Sequence, residues 1–453
     1  MPIERQGGGG LTSLWRFDAL DRRILLIAVP ALGSLLVEPI YVLTDTAVVG
    51  RLGSVPLGGL ALASTVLNTL VWVFNFLSYG TTVRVAVRRG RGDVAGAAGD
   101  ALQALWLALG IGMAVAIVIG LGARGLVGLI GDDAAVIDQG VTYLRISAVG
   151  IPFQLVTVAS IGYLYGLPDT KRPFIVLGLS TAVNLVVELL LVYGLDWGIG
   201  GSAWGTVIAQ VLCAAAMLSI VVPRLRGDGL DHLVVVPSVM WAVLKVGGHM
   251  VQRTAFLLAT LAVATAAASR VGTVQLAGHQ IAAQLFLFFA LGVDMFKVSG
   301  QSLVGHALGA GRPDEARDVV THLYRWAWRT GIVLTAVVLL LAPVLPRLFS
   351  SEGDVRHAAT VALLLLAAMQ LPAAFVFVLD GVLMGANDFR DLRWSTTLAF
   401  LASLPVFVAV LVWPSLGLAT VWLAMLAWIC ARAVKNHTRV QGDRWLASAD
   451  TVG

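Results

Sequence analysis

The sequence predicts an all-α integral membrane protein with twelve transmembrane helices, arranged as two parallel six-helix repeats forming N- and C-lobes around a central cavity. Three observations carry this. Of 453 residues, 58% are hydrophobic and only 13% charged, against about 25% charged in a soluble domain; mean hydropathy is +0.87. Apolar stretches of roughly 20 residues, the length that crosses about 30 Å of hydrocarbon, recur along the chain. A thirteen-residue segment returns later in the chain, in register. A transmembrane barrel would instead show ten-residue alternating strands, and lipid leaves only closed barrels and helices as spanning structures.

The spans follow in order. In the first half they cover roughly 24–50, 57–83, 98–121, 141–166, 173–194 and 200–222. In the second half they cover roughly 241–268, 275–302, 319–345, 358–386, 394–412 and 415–434. Each is bounded by charged or Gly/Pro-containing residues. Basic residues crowd alternate loops: Arg16, Arg22 and Arg23 before span 1, Arg84, Arg88, Arg89 and Arg91 after span 2, Lys171 and Arg172 after span 4. They recur as Arg224 and Arg226, Arg312 and Arg317, Arg390 and Arg393, and Lys435 and Arg439. The opposite loops hold one or two arginines, such as Arg51, Arg124 and Arg270. The positive-inside rule then puts both termini in the cytoplasm, and an even span count agrees.

"RLGSVPLGGLALA" at 51–63 matches "RVGTVQLAGHQIA" at 270–282 at Arg51/Arg270, Gly53/Gly272, Val55/Val274, Leu57/Leu276 and Gly59/Gly278. The offset of 219 also pairs Gly166 with Gly385, Asp169 with Asp388 and Lys171 with Arg390. Six spans per half give both halves the same orientation, an arrangement suited to alternating access. The expected organisation is a cytoplasmic leader at 1–23, an N-lobe at 24–222, a linker at 223–240, a C-lobe at 241–436 and a cytoplasmic tail at 437–453. The leader's "RQGGGG" lacks the strand and lysine of a phosphate loop. Cys213 and Cys430 fall within apolar runs, which argues against a disulfide framework. No cleavable signal is expected.

Polar residues inside these spans are the functional candidates. On span 1, Glu38, Tyr41 and Asp45 share a stripe; on span 5, Ser180, Asn184 and Glu188; on span 6, Ser202, Thr206 and Gln210. Span 2 adds Ser64 and Asn68. Asp45, Glu188 and Thr206 lie about five or six residues from the outer ends of their spans, so roughly 7–9 Å deep. A polar pocket inside the first lobe is expected there. A lone Ser or Thr in a membrane helix usually bonds its own i−4 carbonyl. Ionised carboxylates in mid-bilayer cost about 3 kcal/mol or more, so intramembrane acids are retained for function. Glu38 precedes Pro39 and has a structural reading as well, bonding backbone freed by the proline. At offset 219, Asp45 falls on Ala264 and Glu188 on Phe407, so neither acid is needed to build a lobe. Two acids at one site titrate as a coupled pair. Such a pair holds a proton or faces a cation, and competing ligands of that kind shift one equilibrium in opposite directions. Asp294 and Asp380 are the acids of the second lobe, with Lys297 one turn from Asp294 and Asp380 expected at the cavity or lobe interface.

These residues resemble the multidrug and toxic compound extrusion (MATE) family, specifically its DinF-like branch. The match runs over about residues 20–435 through "LTDTAVVGRLG", "NLVVELLLV", "GTVIAQ", "LAGHQIA", "QSLVGHALGAGRPDEAR" and "LDGVLMGAND". The resemblance implies a two-lobed exporter driven by proton or sodium entry, often for organic cations. It implies that Asp45 is the helix 1 acid with Tyr41 one turn earlier. Asn184 and Glu188 fill an Asn-x-x-x-Asp pattern, Thr206 is the helix 6 hydroxyl, Asp380 is the helix 10 acid and Pro30 is a bending point. Glu188 departs from the family's usual aspartate, which bears on ion selectivity. Protons are the expected coupling ion, with sodium at Asp45, Asn184, Glu188 and Thr206 the alternative. No cofactor, resident metal or nucleic acid is expected; the partners are the lipid bilayer and amphipathic or cationic small molecules. A monomer in a bacterial inner membrane is expected. A flippase for a lipid-linked precursor would need a cationic cavity, and only Arg253 and Lys297 stand out as bases outside the loops. A membrane enzyme is disfavoured because His249, His279, His306 and His322 show no paired-ligand spacing.

Overall fold

The structure is a computed structural model, and it describes residues 17–230 and 234–451. The "RQGGGG" leader and part of the 223–240 linker lie outside the described residues. Among the described residues there is no strand. Eleven helices are long and apolar enough to cross a membrane, and a bent pair makes a twelfth span. They are α1 (Ala19–Gly50), α2 (Ser54–Gly90), α3 (Val94–Gly128), α4 (Ala134–Ala148 with Ile151–Gly166), α5 (Lys171–Gly194) and α6 (Gly198–Gly227). The second six are α7 (Pro237–Val271), α8 (Thr273–Gly309), α9 (Pro313–Leu341), α10 (Gly353–Gly385), α11 (Phe389–Val412) and α12 (Pro414–Gln441).

Every expected span is present, and most helices run past their apolar stretches. Asp93 caps α3 by accepting the Gly96 N–H at 2.8 Å, and Asp133 caps α4 by accepting from Ala135 at 2.8 Å. Such caps satisfy the first orphan amides of a helix. The extension of α6 and α7 leaves a shorter connection than the 223–240 linker expected. Beyond α12 the chain is not a free tail: a 3₁₀ turn at Asp443–Thr451 follows, and Trp445 is buried. The fourth span is the irregular one, bent by 53° between its two parts.

The chain divides into two compact units. One is Val29–Val251; the other is Gln252 onward together with the described residues up to Ala28. Both divisions fall inside helices, α1 and α7, rather than in the linker. In α1 the division lies two residues before Pro30, through which the helix continues. A proline there removes one i−4 hydrogen bond.

The repeat seen in the sequence is repeated in the packing. In the first unit, a Cβ on Gly59 would lie 2.7 Å from the Gly140 amide nitrogen; in the second, a Cβ on Gly278 would lie 2.8 Å from that of Ala359. Gly162 presses on the Ser78 backbone, and Gly381 on that of Lys297. Gly166 meets Thr82, and Gly385 meets Gln301. Every partner is 219 residues from its counterpart. The second and fourth spans of each half therefore cross at the same glycines, where only a missing side chain permits the approach.

Charges at the helix ends are paired. Arg84 donates to both oxygens of Asp100, at 3.0 and 3.1 Å, and Arg88 adds a third contact at 2.7 Å. Asp169 binds Arg224 at 3.1 Å, and its repeat partner Asp388 binds Arg439 at 2.6 Å. His279 is buried, 5.6 Å from the Trp422 ring and 3.3 Å from the Thr265 hydroxyl, which makes it a packing residue. Cys213 and Cys430 are both free.

Candidate functional site

Inside the first unit, α1, α4, α5 and α6 bring their polar residues to one place. Asp45 is 4% exposed, and Glu188 is fully enclosed. The Tyr143 hydroxyl donates to Asp45 Oδ2 at 2.8 Å, and the Ser202 hydroxyl donates to Oδ1 at 3.0 Å. The Glu188 carboxyl lies within hydrogen-bonding reach of Asp45. Neither Glu188 oxygen meets a protein donor. One turn along, Tyr41 and Thr206 share a hydrogen bond of 2.6 Å. Asn184 is 1% exposed, and neither its amide oxygen nor its nitrogen has a partner.

Local structure explains the closeness. Gly205 on α6 packs against the backbone of Glu188, where a Cβ would come to 3.1 Å. Gly201 packs in the same way on Leu191. These glycines let α5 and α6 touch beside the acid. Directly after Glu188 the helix widens into a π-turn, Leu190–Gly194, a distortion that recurs at functional sites. From that turn the Tyr193 hydroxyl donates to the Val48 carbonyl at 2.7 Å, tying α5 to the end of α1.

The expected stripes converge, with three refinements. Asp45 and Glu188 are paired, and the hydroxyl at their level is Ser202, whereas Thr206 lies one turn away against Tyr41. Glu38 does not join: its side chain is exposed, and it bonds none of these residues. Nor does it bond backbone near Pro39; the Ser34 hydroxyl, by contrast, bonds back to its own i−4 carbonyl, that of Pro30, at 3.2 Å. Tyr143 is a site residue that the spacing argument missed. Its only signal was a phenol near the outer end of an apolar run.

The acids of the second unit are otherwise arranged. Asp294 pairs with Lys297 at 2.6 Å, as the one-turn spacing predicts. Asp380, expected at the cavity or lobe interface, is instead sealed in the core of the second unit and 1% exposed. It accepts from Arg253, from Arg432 at 2.8 Å and from Asn436 at 2.8 Å. Ser395 donates to Asn436 at 2.6 Å. A buried carboxylate persists when charges and donors surround it in this way. The count of two bases outside the loops was too low, since Arg432 and Arg329 are also buried in helices.

Comparison with known proteins agrees with this architecture. The MatE family model matches residues 30–190 and 253–411, one stretch in each half. The chain is 30% identical over 442 residues to Protein DETOXIFICATION 44, chloroplastic, of Arabidopsis thaliana, covering 93% of this chain and 82% of the relative. It is 26% identical over 426 residues to DNA damage-inducible protein F of Escherichia coli (strain K12), covering 91% and 90%. A crystal structure of MATE in the bent conformation superposes with a TM-score of 0.87 at 20% identity, covering 97% of this chain and 98% of the other. A MOP superfamily transporter from Pyrococcus furiosus does so with a TM-score of 0.84 at 19% identity, covering 96% and 98%. With two matched halves and up to twelve spans, this chain is a multi-pass membrane protein that belongs to the MATE family of multidrug and toxic compound efflux transporters.

Proposed function

We propose that this transporter exports amphipathic, mainly cationic small molecules by alternating access, in exchange for protons that bind at Asp45 and Glu188. One observation carries the reading: two enclosed carboxyls lie together, and neither oxygen of Glu188 makes a hydrogen bond among the described residues. Asp45 already accepts two hydroxyls, so a single proton held between the acids supplies the missing partner. A buried acceptor left without a donor costs about 1–3 kcal/mol. A cation near the pair makes the proton dispensable, and its departure makes the proton necessary again. Tyr143 and Ser202 keep the Asp45 carboxylate oriented through the exchange, and Tyr41 with Thr206 closes the adjoining turn. Each proton that enters along the membrane potential contributes about 2.3 kcal/mol per 100 mV.

Reconstituted protein separates the candidate ions. In proteoliposomes with proton and sodium gradients imposed independently, the proton gradient alone is expected to drive ethidium movement. Movement driven by sodium alone would reject the proton reading and assign the ion to Asp45, Asn184, Glu188 and Thr206, whose oxygens suit a hard cation.

The same reading places the protein as a monomer in a bacterial inner membrane with both termini cytoplasmic. The cytoplasmic placement of the termini is supported by the crowding of arginine and lysine on alternate loops. A green fluorescent protein fused after Gly453 is expected to fluoresce, and alkaline phosphatase fused there to stay inactive. The reverse pair of results would invert the topology.

A further inference from the structure

The polar stripes do not stop at the acid pair. Along α6, Ser202, Thr206, Gln210 and Cys213 follow one another at helical spacing. Along α5, Asn184 and Ser180 lie one and two turns before Glu188, and along α4, Ser147 lies one turn after Tyr143. Since α4 and α6 run opposite to α5, all three stripes descend from the acids toward the basic, cytoplasmic ends of these helices. Two of the residues sit at the bend of α4. Gln210 lies against Gly150, where a Cβ would collide with its side-chain oxygen. Ser147 is on the turn just before.

Their hydrogen bonding is incomplete. Both polar atoms of Asn184, the Gln210 Oε1 and the Ser147 Oγ are buried and meet no hydrogen-bond partner among the described residues. Buried amides and hydroxyls are almost always bonded, and where protein does not serve them, internal water does. Orphans on three neighbouring helices, in consecutive turns, mark a continuous polar lane and not one isolated defect. Farther down, Ser180 donates to the Ala209 carbonyl at 3.0 Å, and the Cys213 thiol reaches both Ser180 and Thr157. Beyond Cys213 the interior turns apolar, with Leu164, Met217 and Val221 fully packed. Past that layer lies a cavity of about 250 Å³ lined by Arg89, Asp169, Arg224 and Asp228.

We propose that Ser147, Asn184 and Gln210 hold a file of internal water that carries the coupling proton from Glu188 toward the cytoplasm. This rests on the proton reading of the acid pair. The Glu188 carboxyl gives its proton to the first water and becomes a carboxylate. Each water passes one proton on, the last of them to bulk water when the layer at Met217 opens during the transport cycle, and the side chains gain and lose none. Ser147 and Gln210 are therefore positioning residues. The apolar layer at Met217 stops the file short of the cytoplasmic cavity, so the acids do not leak protons in this conformation.

Two measurements on the purified full chain test the proposal. Ethidium added to detergent-solubilised protein reads proton release from the acids themselves; proton-driven ethidium movement in proteoliposomes reads turnover. Gln210→Leu is expected to keep the release stoichiometry and slow turnover at least about tenfold, because its apolar branch displaces the water that the amide holds. Gln210→Ser, which leaves room for water, is expected to restore it. Ser147→Val serves as the second obstructing variant if Gln210→Leu does not fold. Wild-type turnover in both obstructing variants would overturn the water file while leaving the acid pair intact. Loss of proton release in them would overturn it too, by placing these residues in the binding step. Absence of release in the parent protein would instead defeat the proton reading itself.

Discussion

Asp45→Asn is expected to abolish proton-driven export while leaving the protein folded. The amide keeps the size and one acceptor of the carboxylate, so the Tyr143 hydrogen bond survives. Ser202 then faces either the remaining oxygen or the new NH₂ group. The expected stability change is within about 1 kcal/mol, the net worth of one hydrogen bond. Transport is another matter. An amide cannot take up a proton, and it no longer offers the charge that makes a cation and a proton competitors. Glu188 is then left beside a neutral group, and the coupled titration disappears. Driven ethidium movement in proteoliposomes should fall to the level of protein-free vesicles, with the chromatographic profile in detergent unchanged. A variant that still exchanges protons for ethidium would remove Asp45 from the coupling site.

The second large effect concerns stability. Asp380→Ala is expected to destabilise the protein by about 3–5 kcal/mol, the usual cost of removing one partner from a buried ion pair. Arg253 and Arg432 would remain enclosed without the carboxylate that both of them contact. Asn436 would lose its acceptor as well. Thermal unfolding followed by size-exclusion chromatography should show a clear loss of the monodisperse peak at lower temperature. Removing Arg432 at the same time, in Asp380→Ala/Arg432→Met, should cost less than the two single changes summed, because contacting residues are not additive. Additive losses would show that Asp380 and Arg432 do not act as a pair.

Much of the fold was legible because lipid imposes strong constraints. Continuous apolar length identified the spans, and the in-register resemblance of 51–63 to 270–282 identified the repeat. Gly59 and Gly278 in those segments are two of the glycines at which helices cross. The acid pair was legible through helical spacing, since each of α1, α5 and α6 carried its own polar stripe. Tyr143 was not, because an isolated phenol in an apolar run has no period to betray it. The π-turn after Glu188 was not, because it has no residue signature; its Leu191 packs on Gly201. Asp380 was misplaced for a related reason. Its partner Arg432 is 52 residues away in the chain, and an acid's position along a helix does not say what stands opposite. Glu38 shows the same limit, being in phase with Asp45 yet facing away from its hydrogen-bond network.

The matched glycine contacts, set beside the unmatched acids, separate two kinds of inheritance. The helix crossings are present in both halves; the acid pair stands in one, with Ala264 and Phe407 at the corresponding places of the other half. Bulk is therefore forbidden at the crossing points of either half. The two interiors differ in charge: one encloses Asp45 and Glu188, and the other encloses Asp380 between Arg253 and Arg432.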